Sequence, residues 1–186
     1  MRSVLKEKKK KTARVLAASG ATASDACDAS VALSHNGPAQ FPLGTTIVTI
    51  SATDDSGIAS QKQFAVQVVY RFIGFLPPIR NDGTSIFRSG RTIPVKFQLT
   101  AEDGSYVSNA SATLAVFRVT DAFLGTTEEV TPDAAGESNS SNIFRYDSSS
   151  NQYIYDLKTT GYPAGTYILR VALNDGTTHE VQVSIR

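Results

Sequence analysis

The strongest constraint in the chain is a nine-residue alternation, Thr92 to Thr100, TIPVKFQLT, in which Ile93, Val95, Phe97 and Leu99 interleave with Pro94, Lys96 and Gln98. A period of two sends successive side chains to opposite faces, so the segment is predicted as a β-strand with one apolar face buried and one polar face turned outward. Pro94 has no N–H to give to a ladder, which places it near the start of the strand or on a sheet edge, while Phe97 is predicted to fill the core. Neighbouring segments repeat the alternation. Thr, Ser, Val, Ala and Gly are plentiful, Trp is absent and the single Met is the first residue, a composition that suits short strands joined by polar turns and an all-β fold.

Lys plus Arg (18) nearly balances Asp plus Glu (17), for a formal net charge of +1, so no global field recruits nucleic acid or an anionic membrane. Cys27 is the only cysteine; an intrachain disulfide is impossible and metal sites built on paired cysteines are excluded. No run of eighteen apolar residues occurs, so no transmembrane helix and no membrane insertion are predicted. The 186 residues suffice for one or two domains with cores of their own, and two are expected. Residues 1–20 read as a disordered basic lead-in, because a secretory signal needs about 7 to 15 consecutive apolar residues and Val15 to Ala18 is broken at once by Ser19 and Gly20. The Lys6 to Lys11 run has no interleaved aromatic residues and is expected simply to be solvated.

Residues 21–70 form the first expected module. Thr45 to Thr53, with Ile47, Val48 and Ile50, and Phe64 to Val68, with Phe64, Val66 and Val68, flank the turn Asp54-Asp55-Ser56-Gly57 and are predicted to pair as a hairpin. This half is short for a sandwich, so its first strands are expected to be missing or supplied by Ala17 to Asp25. The text Ala23-Ser24-Asp25-Ala26-Cys27-Asp28, then Phe41 to Thr49, then Ala52-Thr53-Asp54-Asp55-Ser56-Gly57, then Phe64 to Val68, resembles the hyalin repeat, an immunoglobulin-like extracellular module. In that family a cysteine like Cys27 pairs with another just before the last strand; Gln61, Lys62 and Gln63 occupy that place here, so the resemblance implies a partial module without the covalent link.

Residues 71–186 form the second. The turns Asn81-Asp82-Gly83, Glu102-Asp103-Gly104-Ser105, Asp147 to Asn151 and Asn174-Asp175-Gly176 separate predicted strands at Thr92 to Thr100, Ala112 to Val119, Ile143 to Tyr146, Gln152 to Leu157, Tyr167 to Leu173 and Val181 to Ile185. The last two are predicted to form a hairpin, and Thr126 to Asn142 reads as a long mobile loop. About seven short strands over about 115 residues match the size and rhythm of an immunoglobulin-like β-sandwich, giving an expected fold of such modules in tandem. The motif Pro94-Val95-Lys96-Phe97, with Gly74 to Ile79 upstream, Gln152 to Thr159 in the middle and Ala164-Gly165-Thr166-Tyr167 downstream, resembles the bacterial PxKF domain over Phe72 to Arg186. That resemblance implies an accessory module of large secreted or surface-attached bacterial proteins, with no enzyme activity and no assigned ligand.

The motifs of common hydrolases, zinc proteases and nucleotide enzymes are absent, and Asp54 with Asp55 are turn neighbours that point apart rather than a catalytic pair. No catalytic residue, resident metal or cofactor is expected. Asp25, Asp28, Asp54 and Asp55 have the oxygen chemistry for calcium on loops, against the ordinary role of Asp as a turn cap, which is the favoured reading. Lys96 on a polar strand face is expected to stay solvated or to guard an edge. Tyr146, Tyr153 and Tyr155 have the flat faces that stack on sugar rings, and equally the positions of core or cross-strand pairs. His35 and His179 show no partner in sequence and default to exposed positions. The leading expectation is a non-catalytic spacer, stabiliser or adhesion element of a secreted or cell-surface protein, partnered by adjacent modules and by a surface glycan or protein. A carbohydrate-binding module of a polysaccharide-active enzyme stands as the alternative.

Overall fold

The computed structural model describes residues 20–25, 31–135 and 141–186. Cys27, Asp28 and the lead-in up to Ser19 lie outside the described residues. The chain separates into one unit ending at Val68 and another beginning at Val69, and every named element is a β-strand.

In the first unit, β1 (Ala32–His35), β2 (Gly44–Thr53) and β3 (Ala59–Val68) form one antiparallel three-stranded sheet in that order. Val48 opposes Phe64 and Thr46 opposes Val66, so Val48, Ile50, Phe64, Val66 and Val68 share a face, as the alternation of β2 and β3 requires. The other face carries Thr45, Thr49, Gln63 and Gln67 together with an exposed Ile47. Gln61, Lys62 and Gln63 lie on β3 and are exposed. The hairpin closes at Asp54, whose carbonyl accepts from the Gly57 amide at 3.1 Å and whose Oδ1 accepts from the Ile58 amide at 2.7 Å.

The second unit holds β4 (Arg71–Phe75), β5 (Ser85–Phe87), β6 (Thr92–Thr100), β7 (Ala112–Asp121), β8 (Thr126–Val130), β9 (Asp133–Ala134), β10 (Arg145–Asp147), β11 (Gln152–Lys158), β12 (Gly165–Leu173) and β13 (Thr178–Ile185). One sheet runs β10-β11-β6-β4, with β9 also on β11; the other runs β5-β13-β12-β7-β8. In the lettering of immunoglobulin-like sandwiches, β4, β6, β10 and β11 are A, B, D and E, while β7, β12 and β13 are C, F and G. The two sheets are therefore ABED and CFG, with β8 added beyond C and β5 pairing in parallel with G. The inner faces meet in a single core in which Val95, Phe97, Leu114, Val116, Tyr155, Leu169 and Val171 have no measurable exposure.

Pro94 is the third residue of β6, which lies inside its sheet between β11 and β4 rather than at an edge. The Lys96 carbonyl accepts from the Leu76 amide at 2.8 Å, and backbone groups two residues apart face the same way, so the missing N–H of Pro94 lies on the β4 side. Pairing between β4 and β6 reaches only from Thr100 to Phe97, so no ladder bond is lost. A bulge between Phe72 and Phe75 shifts the register there, and Gly74 takes it up at φ +117. A Cβ on Gly74 would come within 3.1 Å of the Asn81 amide, which donates to the Phe75 carbonyl and accepts from the Phe75 amide.

The expectation of one long loop over Thr126 to Asn142 does not hold. Thr126–Val130 pairs with β7 and Asp133–Ala134 with β11. Both are edge strands, the first with four of its five residues exposed and the second only two residues long, so neither shows the apolar alternation by which a strand is recognised in sequence. Ala112–Asp121 is flanked on both sides, by β12 and β8.

Candidate functional site

The residues of the Pro94-Val95-Lys96-Phe97 motif divide cleanly by parity. Val95 and Phe97 point into the core, where Phe97 stacks on its cross-strand neighbour Tyr153 with ring centroids 5.1 Å apart and meets Phe72 and Phe144 at 5.2 and 5.0 Å. Lys96 and Pro94 occupy the outer face, opposite Ile154 and Asp156. Around them lie Arg145, whose guanidinium pairs with Asp156 at 3.0 Å, and Gln98, which donates to the Ser150 carbonyl at 3.2 Å. This face offers both signs of charge, with Arg145 and Asp156 paired to each other. Such exposed ion pairs contribute no more than about 1 kcal/mol each.

The tyrosines do not form a sugar-stacking surface. Tyr153 and Tyr155 are 1% and 0% exposed, because they face the same layer as Phe97 and Val95. The Tyr153 hydroxyl donates to the Val107 carbonyl and accepts from the Ala110 amide, and the Tyr155 hydroxyl donates to the Ser141 carbonyl, so both fasten loops to the core. Burial pushes both hydroxyls above the ordinary tyrosine range. Tyr146 is half-buried, with its ring 5.0 Å from that of Tyr153.

A further tyrosine has a role that the alternation of its strand does not reveal. Tyr167, at the start of β12, donates its hydroxyl to the Pro163 carbonyl four residues back at 2.8 Å, the tyrosine corner of immunoglobulin-like folds. Tyr162 stacks on it, and burial drives the Tyr162 hydroxyl up to about 12. The signal was present as a Tyr just past a Pro and Gly corner that leads into an alternating strand.

The acidic turns repeat one device. Asp82, Asp103, Asp147 and Asp175 each accept, through Oδ1, from the backbone amide and the hydroxyl of the Ser or Thr two residues on. Hydrogen bonds from the hydroxyls hold the first three carboxyls below the usual carboxylate range. Asp175 differs in being 2% exposed. Burial works against its charge, yet bonds from Thr177 and the Tyr70 amide outweigh that and still lower it. Its Oδ2 accepts from the Tyr70 amide at 2.7 Å, pinning the start of the second unit to the turn between β12 and β13.

His179 is not a bare exposed histidine: its ring stacks on Phe72 at 3.9 Å and 6°, and burial lowers its pKa against the pull of Asp175. The Nδ1 of His35 accepts from the Gly37 amide at 3.0 Å. Of the calcium candidates, Asp25 and Asp54 line one open groove of about 700 Å³ in the first unit, together with Leu33, Ile50, Ala52 and Phe64. One Asp54 oxygen caps the turn, and no group of three or more potential metal ligands occurs among the described residues. Among those residues no helix is long and apolar enough to cross a membrane.

No family model matches the sequence, and no curated protein matches it. Solved structures similar to the chain include domains 4 and 5 of the S-layer protein SbsC, at 10% identity and a TM-score of 0.33 over 76% of this chain and 57% of that one. A tandem pair of titin Ig domains gives 12% identity and 0.30, and this chain spans 62% of its length. Bacteroides ovatus SGBP-B, solved in complex with a mixed-linkage heptasaccharide, gives 18% identity and 0.22 over 78% of this chain and 31% of that one. The strand order and register, rather than these likenesses, make the second unit an immunoglobulin-like β-sandwich.

Proposed function

We propose that the chain is a non-catalytic accessory module of a larger secreted or cell-surface bacterial protein, a partial hyalin-like repeat followed by a PxKF-like sandwich, acting as a spacer, stabiliser or adhesion element. The observation that carries this reading is the division of the motif: Val95 and Phe97 are core, and Lys96 stands on a polar face whose neighbours pair with one another. A motif placed in this way specifies a fold rather than a reaction. The resemblance over Phe72 to Arg186 supports the bacterial, extracellular setting. Burial of Tyr153 and Tyr155 removes two of the three tyrosines that a sugar-stacking surface would use, and Tyr146 is half-buried. Two experiments test the proposal. Antiserum raised against the second unit should label intact cells of the source organism, and confinement of the antigen to the cytosolic fraction would overturn the setting. A glycan array probed with the full chain should stay blank, and reproducible binding lost in Lys96→Ala with Arg145→Ala would convert the module into a sugar binder.

A further inference from the structure

The outer face of the second sheet in the second unit carries an apolar cluster that alternation gives it no reason to have. Ile168 opposes Phe117 and Gln182, Val119 opposes Thr127, and Ser184 opposes Thr166 and Ile86, so Phe117, Val119, Ile168 and Ile86 all lie on the side away from the core. Ile86 is 54% exposed. Charges share this face: Arg170 lies over the Phe117 ring at 4.4 Å and pairs with Glu180, and Glu129 stands opposite Phe117 on β8. Phe117, Val119 and Ile168 are neighbours on adjacent strands and half-buried, while Ile86 stands apart beyond Gln182 and Ser184; a cluster of that kind beside an exposed apolar tip calls for an explanation.

At one end of this face the turn between β7 and β8 carries Phe123 at 97% and Leu124 at 71% exposure. The turn is built, since Asp121 Oδ1 accepts from both of their amides at 2.8 and 3.0 Å. Beside it the face has a depression of about 250 Å³, lined by Val119, Ala122, Gly125, Thr127, Thr166 and Ile168. A knob and a hole side by side on one surface are self-complementary, because a two-fold axis between two copies fills both holes at once.

We propose that this face is a self-association surface on which a second copy of the chain seats its Phe123 in the depression. The area suffices. Five strands about 4.8 Å apart and about seven residues long at about 3.3 Å give about 24 by 23 Å, or about 550 Å² in projection. Each exchanged phenylalanine adds about 150 to 200 Å², bringing the total close to the about 800 Å² per partner of a standard interface. An anionic lipid surface fits less well, since three carboxylates, Asp121, Glu128 and Glu129, flank the turn against one arginine, Arg118, which stands opposite Glu128.

Sedimentation of the full chain tests this. The weight-average mass should rise from the 19.9 kDa of one chain toward twice that value as concentration climbs through about 1 to 300 µM, the weak end for an interface of this size. Phe123→Asp and Thr166→Arg should each hold the mass at one chain throughout, with unchanged circular-dichroism melting. Tyr106→Asp, at a residue 49% exposed elsewhere, should still double. A wild-type chain that stays single, or a Phe123→Asp variant that still doubles, would overturn the proposal. Co-sedimentation of a single-chain wild type with phosphatidylcholine and phosphatidylserine vesicles, lost in Phe123→Asp, would reassign the tip to a membrane.

Discussion

In the second unit the strand Thr92–Thr100 buries Ile93, Val95, Phe97 and Leu99 to 1% exposure or less, whereas in the first unit Gly44–Thr53 buries Val48 and Ile50 and leaves its neighbours Phe64, Val66 and Val68 half-exposed. Both strands alternate, with Ile47 the exception in the first. What differs is what lies opposite: the second unit lays one sheet on another, while the described residues of the first form a single sheet. Alternation therefore tells which face is meant to be dry, and a second sheet extends that dryness along the whole strand. Full burial of a large apolar side chain stabilises by about 1.5 to 3 kcal/mol, so the difference accumulates quickly across a strand.

The most forceful way to break the comparison is Phe97→Ala, which removes a ring touching Phe72, Phe144 and Tyr153 and should cost about 3 to 5 kcal/mol. A denaturant midpoint that does not move would mean that the second unit is no better packed than the first. Hydrogen exchange sharpens the contrast next. Amides of Val95 to Leu99 and Ile168 to Val171 should exchange at least about 100-fold more slowly than those of Ile47 to Ile50, and equal protection would erase the distinction.

Asp175→Ala should cost about 1 to 3 kcal/mol, read from urea midpoints, because the Tyr70 and Thr177 amides lose a buried acceptor. The carboxyl is held below 3.8, so the unfolded chain takes up its proton first; this contribution is complete above that pH and is lost as pH falls below it. His179 is held below 6.5, and its contribution likewise declines as pH falls through that value. Asp175→Asn should flatten the acid limb and leave the decline below 6.5 in place. Lys96→Ala, by contrast, should shift stability by no more than about 0.5 kcal/mol. Smallest of all is the effect of millimolar calcium or excess chelator on melting, expected to be nil; a rise of many degrees with calcium would give Asp25 and Asp54 a joint role in the first unit.

What could be read from sequence followed the strength of the local pattern. β6 and β13 alternate without interruption, and their buried faces were legible residue by residue, including Phe97 in the core. β8 and β9 were not, because exposed edge strands such as Thr126–Val130 are under no pressure to alternate. The tyrosines show the converse limit: alternation puts Tyr153 and Tyr155 on one face but does not say which face, and their hydroxyls satisfied by Val107 and Ser141 allowed polar side chains a place in the core. The partners of Asp175 and His179 lie about a hundred residues away, at Tyr70 and Phe72, where no local pattern reaches.

The parallel pairing of β5 with β13 bears on how the second unit carries load. Val183, Ser184 and Ile185 lie alongside Ser85, Ile86 and Phe87, and the Arg186 and Phe87 backbones continue the ladder, with Arg186 donating to Phe87 at 2.9 Å and accepting from Ser89 at 2.8 Å. One of these strands lies near the start of the unit and the other ends the chain. Tension applied at the two ends of the unit would slide parallel strands lengthwise past each other, stretching every bond of the ladder together. An antiparallel hairpin pulled at its open end gives way one bond at a time. Under tension along the chain, the β5–β13 ladder would hold until all of its bonds shear together.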